Sequence, residues 1–326
     1  VSTLDLSGLD TSNMTSMSKM FYKSTSLTNI DASGFDTSKV VNMNGMFTGC
    51  TNLKTLDVSN FKTSKVTDMN NMFEDCSSLT TLDLSNFDTS NVLYMGNPYN
   101  YSYGGMFRNC SSLVSLNISS FNTSKVKLMS NMFHGCSSLV TLDLSNFDTS
   151  NVTAMASMFN SCTNLKNLNL SSFNTSKVTD MDSMFLNCKS LADLNLSGFN
   201  TNKVTGMYAL FFGCTNLIEL DISNFTTSNV TNLALMFGNC RSLKELDLSN
   251  FNTTNVTNMN RMFEHCHNLK TIYVSDLWNM SSVTASSNMF MNCKSLTGAV
   301  PFDSTKTDVS MANYTTGYLT YKKNTN

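Results

Sequence analysis

The sequence predicts an α/β repeat solenoid: a parallel sheet built one strand per coil, with short helices on the opposite, convex side, in about eleven coils. Three observations predict it. Ten cysteines fall at 50, 76, 110, 136, 162, 188, 214, 240, 266 and 293, so the step is 26 residues except for one of 34 and one of 27. A fixed period of 20 to 50 residues marks stacked units that each contact their neighbours. Within each unit an alternating apolar stretch is followed by a second apolar stretch of different spacing.

The unit LVTLDLSNFDTSNVTAMASMFNSC (139–162) shows each element in order. Leu142 and Leu144 alternate with Asp143 and Ser145, the period of a strand with one face buried. The run FDTSNV is rich in Asp, Thr, Ser and Asn, which favour turns through side-chain to backbone bonding. Met155, Met158, Phe159 and Cys162 then follow i, i+3, i+4, i+7, one face of about two helical turns. In-register stacking predicts strands about 4.8 Å apart. The array is expected over 1–298 and a C-terminal cap over 299–326, where a stack must differ from its interior to close.

Composition excludes several function classes. A net charge of -2 and 13% charged residues, without a run of like charge, give no footprint for nucleic acid. No apolar stretch approaches the roughly 20 residues of a membrane span. No signal peptide is read, and residue 1 falls inside a repeat, so the sequence reads as a fragment. Neither a Ser-His-Asp arrangement nor a glycine-rich phosphate loop is present, which argues against an enzyme.

The repeat L-x-x-L-D-L-S-x-F-[DN]-T-S-x-V-T-x-M-x-x-M-F-x-x-C resembles the 26-residue repeat of BspA-like leucine-rich-repeat surface proteins of bacteria, over almost the whole chain. The tail, TGAVPF (297–302) and TGYLTYKK (316–323), resembles the segment that closes such arrays. The resemblance implies a secreted or cell-surface protein, adhesin-like, that binds a host or matrix glycan or protein. Ser24 departs from the pattern where a cysteine is expected.

The residues themselves leave several readings open. The cysteines sit at the inward end of each predicted helix, and helices pack 8 to 10 Å apart, beyond the reach of a disulfide; buried free thiols are expected. The methionines read as core. His134 and His265 fall at variable positions expected to face solvent. A regular threonine column (Thr63, Thr89, Thr123, Thr149) raises the idea of a flat ice-ordering face, against which the adjoining Asp and Lys positions argue. Strand alternation turns Thr55, Asp57 and Ser59 outward, and the middle column reads Asp5, Asp31, Asp57, Asp83 before asparagines interrupt it. Those carboxylates either bond to flanking hydroxyls in water or recruit calcium or a hydroxyl-rich ligand; calcium is the one cofactor this pattern raises.

Two irregularities interrupt the rhythm. YMGNPYNYSYGGMF (94–107) carries eight extra residues near 96–105, inserted between Met95 and Met106. Gly96, Gly104 and Gly105 let the chain leave and re-enter, and Tyr99, Tyr101 and Tyr103 form either a binding surface or a lid. Near the C-terminus, YVSDLWNMSS (273–282) places Tyr273 in the acidic column and introduces the only tryptophan, Trp278. Both are read either as part of the cap or as a sugar platform.

Overall fold

A computed structural model describes residues 4, 6, 8–97 and 104–324. The chain divides into two compact units, Val1–Leu165 and Lys166–Asn326. Unit 1 carries strands β1 (Asn29–Ile30), β2 (Thr55–Leu56), β3 (Thr81–Asp83), β4 (Ser115–Asn117) and β5 (Thr141–Asp143). Unit 2 carries β6 (Asn167–Asn169), β7 (Glu245–Asp247), β8 (Thr271–Val274) and β9 (Thr320–Tyr321). Pairing is parallel and in register: Leu82 faces Leu116, and Asp247 faces Tyr273. Each unit is a stack of coils, as the repeat requires.

The expected convex helices are absent: among the described residues the one helical element is a short 3-10 turn, Val309–Met311, in the cap. In the run from Met129 to Cys136 the N–H groups of Met129, Asn131, Phe133 and Gly135 donate to Ala154, Ala156, Met158 and Asn160 on the next coil, at 2.7–3.1 Å. The intervening N–H groups of Met132, His134 and Cys136 bond three residues back. Asn131 and Gly135 take φ of 60° and 73°, and such a pair recurs along both units. A left-handed residue at every fourth position cannot sit in an α-helix. Two tandem turns place apolar side chains at i, i+3, i+4, i+7 just as a helix does, so spacing alone does not separate them. The turn form also satisfies backbone groups between coils on this side of the stack.

The coils are consequently closer here than packed helices. Phe21, Phe47, Phe73, Phe107, Phe133 and Phe159 form a ladder with ring centroids 5.5–5.9 Å apart in unit 1. In unit 2 the ladder from Phe185 to Phe290 ends on Tyr318, which meets Phe290 edge-on at 5.4 Å. The described thiols are free and buried. Their isolation does not come from helix spacing. They form one column of a parallel stack, in which the Sγ of Cys50, Cys76, Cys136 and Cys240, among others, donates to the carbonyl of a phenylalanine one coil back, as Cys76 does to Phe47 at 3.2 Å. Burial pushes the Cys162 and Cys266 thiols up to about 12, so they remain protonated donors.

Polar ladders complete the stack. Thr63, Thr89, Thr123 and Thr149 are at most 2% exposed. Thr63 Oγ1 donates to Asp88 O at 2.9 Å and accepts from Asp88 N at 2.8 Å. The threonine column is thus interior wiring, which removes the exposed threonine face. Asn86 Nδ2 reaches Val58, Ser59 and Phe61 carbonyls at 3.0–3.1 Å, and Asn60, Asn146 and Asn224 repeat the pattern.

Candidate ligand-binding face

Since the inward strand positions fill the core, the outward ones make the available surface. In unit 1 a shallow cleft of about 370 Å³ lies over Asn29, Thr55, Asp57, Thr81, Asp83 and Asn86. Its carboxylates are already engaged. Asp57 Oδ1 accepts from Ser59 N at 2.9 Å and Asp83 Oδ1 from Ser85 N at 3.0 Å. These N–H bonds hold both carboxyls below the usual range. Asp31 makes the same bond to Ser33. Among the described residues no three His, Cys, Asp or Glu side chains converge to hold a metal ion. Asp5 lies outside the described residues.

In unit 2 a cleft of about 510 Å³ is lined by Asp221, Lys244, Asp247, Lys270, Tyr273 and Lys322, among others. Lys322 follows β9, which pairs in parallel with β8 and so brings the end of the chain onto the sheet. Its ammonium meets Asp247 Oδ2 and lies 5.5 Å from the centre of the Tyr273 ring. Burial raises the Asp247 carboxyl, but the Lys322 ammonium and the Ser249 N–H outweigh that and hold it below its ordinary value.

Trp278 is not a surface platform. It is 8% exposed, and its indole Nε1 donates to Ala312 O at 3.1 Å, inside the cap. The bulk that marks it in the sequence closes the stack. Tyr273 does line the cleft.

The residues that flank the insertion keep the bonding of an ordinary coil. Gly96 and Gly105 form an antiparallel bridge at the neck of the insertion, and Met106 N bonds Met95 O at 2.9 Å, as Met72 N bonds Met69 O at 3.2 Å in the coil before. A Cβ on Gly96 would lie 2.3 Å from Ser130 O, and one on Gly105 2.2 Å from Asn131 O, so both positions require glycine. Gly104 and Arg108 donate to Glu74 Oε1 at 3.2 and 3.0 Å, and Gly105 donates to Asn71 Oδ1 at 2.9 Å. Burial raises the Glu74 carboxyl against those donors. Tyr99, Tyr101 and Tyr103 lie outside the described residues.

His134 does not face solvent as its variable position suggests. It is half-buried beside Arg108, its Nδ1 is buried without a hydrogen-bond partner, and burial followed by the Arg108 charge lowers it to about 4. Arg108 and His134 stand one 26-residue period apart, so their shared column could be read from the sequence, though not the burial of the imidazole. The Lys322 contact was not legible, since it lies 75 residues from Asp247.

The family described as "Mycoplasma protein of unknown function, DUF285" matches residues 2–103, 101–195 and 191–302. The chain belongs to this family. Its repeat is of the BspA-like leucine-rich kind. Among curated proteins none matches the sequence. Similar solved structures include a leucine rich cell surface protein of Faecalibacterium prausnitzii, with 18% identity, 85% of this chain and 74% of that chain covered, and a TM-score of 0.38. A leucine-rich repeat protein of Eubacterium ventriosum gives 16% identity, 89% and 71% coverage and a TM-score of 0.37. The T. pallidum leucine rich repeat protein gives 19%, 67% and 77%, and 0.33. At such identities and scores none of them lends this BspA-like chain a function.

Proposed function

We propose that this chain is a non-enzymatic binding module of a bacterial cell-surface or secreted protein, adhesin-like, that takes a host or environmental glycan or protein. The observation that carries the reading is the outward sheet face. It presents carboxylates, hydroxyls and amides in parallel register over two clefts, the arrangement a hydroxyl-rich or peptide ligand can follow from coil to coil. The tyrosine insertion, whose neck is bridged at Gly96 and Gly105, is the second place where a ligand can be held. Calcium enters the proposal as a bridge between exposed carboxylates such as Asp57 and Asp83 and a sugar.

A second reading, a spacer without a dedicated ligand, is favoured by one observation: the unit 1 carboxylates are each bonded within their own turn. A glycan and extracellular-matrix screen, with and without calcium, decides between them. It includes a variant lacking residues 97–104, which joins Gly96 to Gly105 and restores the two-residue spacing of the other coils. Binding lost with the insertion assigns the site to the tyrosines. Calcium-dependent binding that survives the deletion assigns it to the aspartates. Silence in every condition leaves the spacer.

A further inference from the structure

We infer that the Asp247–Tyr273 corner of the unit 2 cleft is a primary-amine site, that Lys322 occupies it from within, and that its external ligand is a lysine side chain of a partner protein. The inference rests on reading the sheet face as a binding surface, and it names the ligand chemistry of one corner of it.

The corner is built by one departure from the repeat. Asp247 Oδ1 accepts from Ser249 N at 2.9 Å, the bond its column makes elsewhere, which leaves Oδ2 pointing to the cleft. At Asp57 and Asp83 the neighbouring outward residues are polar or acidic, whereas beside Asp247 the register partner is the aromatic ring of Tyr273. A carboxylate oxygen next to an aromatic face recognises an ammonium by charge and by the ring quadrupole. Lys322 shows the fit, its Nζ meeting both groups.

The Lys322 side chain is not what fastens the C-terminal strap, the segment around β9. The strap is held by Lys322 N to Val274 O at 2.8 Å, by Tyr321 OH to Asp276 at 3.1 Å, and by the buried Tyr318, whose hydroxyl bonds Asp303 N, Asp303 O and Lys306 O. The Lys322 side chain itself is 52% exposed, so solvent and a competitor can reach it. Exposed Ile218 offers an apolar wall for a methylene stem, and Lys244 and Lys270 offer partners for acidic residues flanking the incoming lysine. A tethered amine that fills its site most of the time lowers the apparent affinity of a competitor by the reciprocal of the open fraction, about threefold for an open fraction near one in three.

The test uses the full 326-residue chain and a capped Asp-Lys-Asp peptide, followed by calorimetry or NMR titration. Lys322→Met is expected to bind the peptide about threefold more tightly than the unsubstituted chain. Adding Asp247→Asn is expected to remove the gain, and Nε-acetylation of the peptide to abolish binding. Equal affinity with and without Lys322→Met overturns the inference. A gain seen for a glucosamine tetramer and not for the peptide overturns the lysine assignment. Trp278, the single tryptophan, reports the cap. If Lys322→Met shifts its emission, Lys322→Gln is measured instead, and a shift in both makes Lys322 a cap pin and overturns the inference. A negative glycan and matrix screen leaves the peptide result standing, so the two readings fail separately.

Discussion

In unit 1 the cleft at Asp57 and Asp83 is walled by residues that recur from coil to coil, and each carboxylate is satisfied by the serine two residues on. In unit 2 the cleft at Asp247 is walled by the same columns, together with an aromatic residue and a lysine that the repeat does not supply. Repetition makes a surface whose polar groups are already paired. Individual chemistry arises where the cap or an insertion breaks the pattern, because only there does an outward group meet an unlike neighbour. Substitutions at irregular positions are therefore expected to act strongly and locally, and those in the ladders to act moderately and alike.

The largest effect belongs to Tyr318, which is fully buried, ends the phenylalanine ladder of unit 2 and holds three hydrogen bonds through its hydroxyl. Tyr318→Ala is expected to cost about 4 kcal/mol in urea unfolding and to expose Trp278, seen as a red shift of its emission. Tyr318→Phe, which retains the packing, is expected to cost about 1–2 kcal/mol. A Tyr318→Ala chain with unchanged stability would mean that the cap does not close the stack.

The next effect is a pH dependence of opposite sign in the two units. His134 in unit 1 is lowered to about 4 from 6.5, chiefly by burial, so the unfolded chain takes its proton first. Its contribution is complete above pH 6.5 and is lost as the pH falls toward 4, by up to about 3 kcal/mol. Asp182 in unit 2 is raised to about 6 from 3.8 by burial and by Asp180, so the folded chain takes the proton first. Its contribution grows as the pH falls from 6 toward 3.8, by a similar amount. His134→Asn, the residue of the following coil, should reduce acid destabilisation, and Asp182→Ala should increase it. Stability measured at pH 7 and 4.5 checks both signs.

The same contrast governs what the sequence could reveal. The stack, the buried methionines and cysteines and the outward aspartates follow from period and alternation, because each column repeats many times. The helices failed because i, i+3, i+4, i+7 fits two tandem turns equally well. The signal that separates them is the residue before each cysteine, which is Gly or Asn in most coils (Gly49, Asn109, Gly135, Asn187) and left-handed in the structure. Trp278 and Lys322 resisted for another reason. Each acts through a contact at long sequence separation, made once, to a tail whose path no repeat predicts.

The ladders offer the moderate, uniform effect. Asn86 in unit 1 and Asn250 in unit 2 each donate through Nδ2 to carbonyls of the preceding coil. Replacement by Ala is expected to cost about 1–2 kcal/mol at either position, equal within about 0.5 kcal/mol, since each leaves partly buried carbonyls short of a donor. A large inequality between the two would show that position along the stack matters more than the shared bonding pattern.

The smallest effect separates the two clefts most directly. Asp83→Asn should leave stability unchanged at any salt concentration. Asn117 occupies the paired position on the next strand and bonds Ser119 N in the same way, so the turn survives without the charge. Asp247→Asn conserves its turn bond too, but it loses the Lys322 ammonium, an exposed pair worth about 0.5 kcal/mol at low salt and less as salt rises. Melting curves of the two variants in 20 mM and 500 mM salt, as round working concentrations on the order of a tenfold or larger span, should therefore converge for Asp247→Asn and coincide throughout for Asp83→Asn. A salt-dependent loss at Asp83 would mean that its charge has a partner, and that the repeat-only cleft is less neutralised than its turn bonds imply.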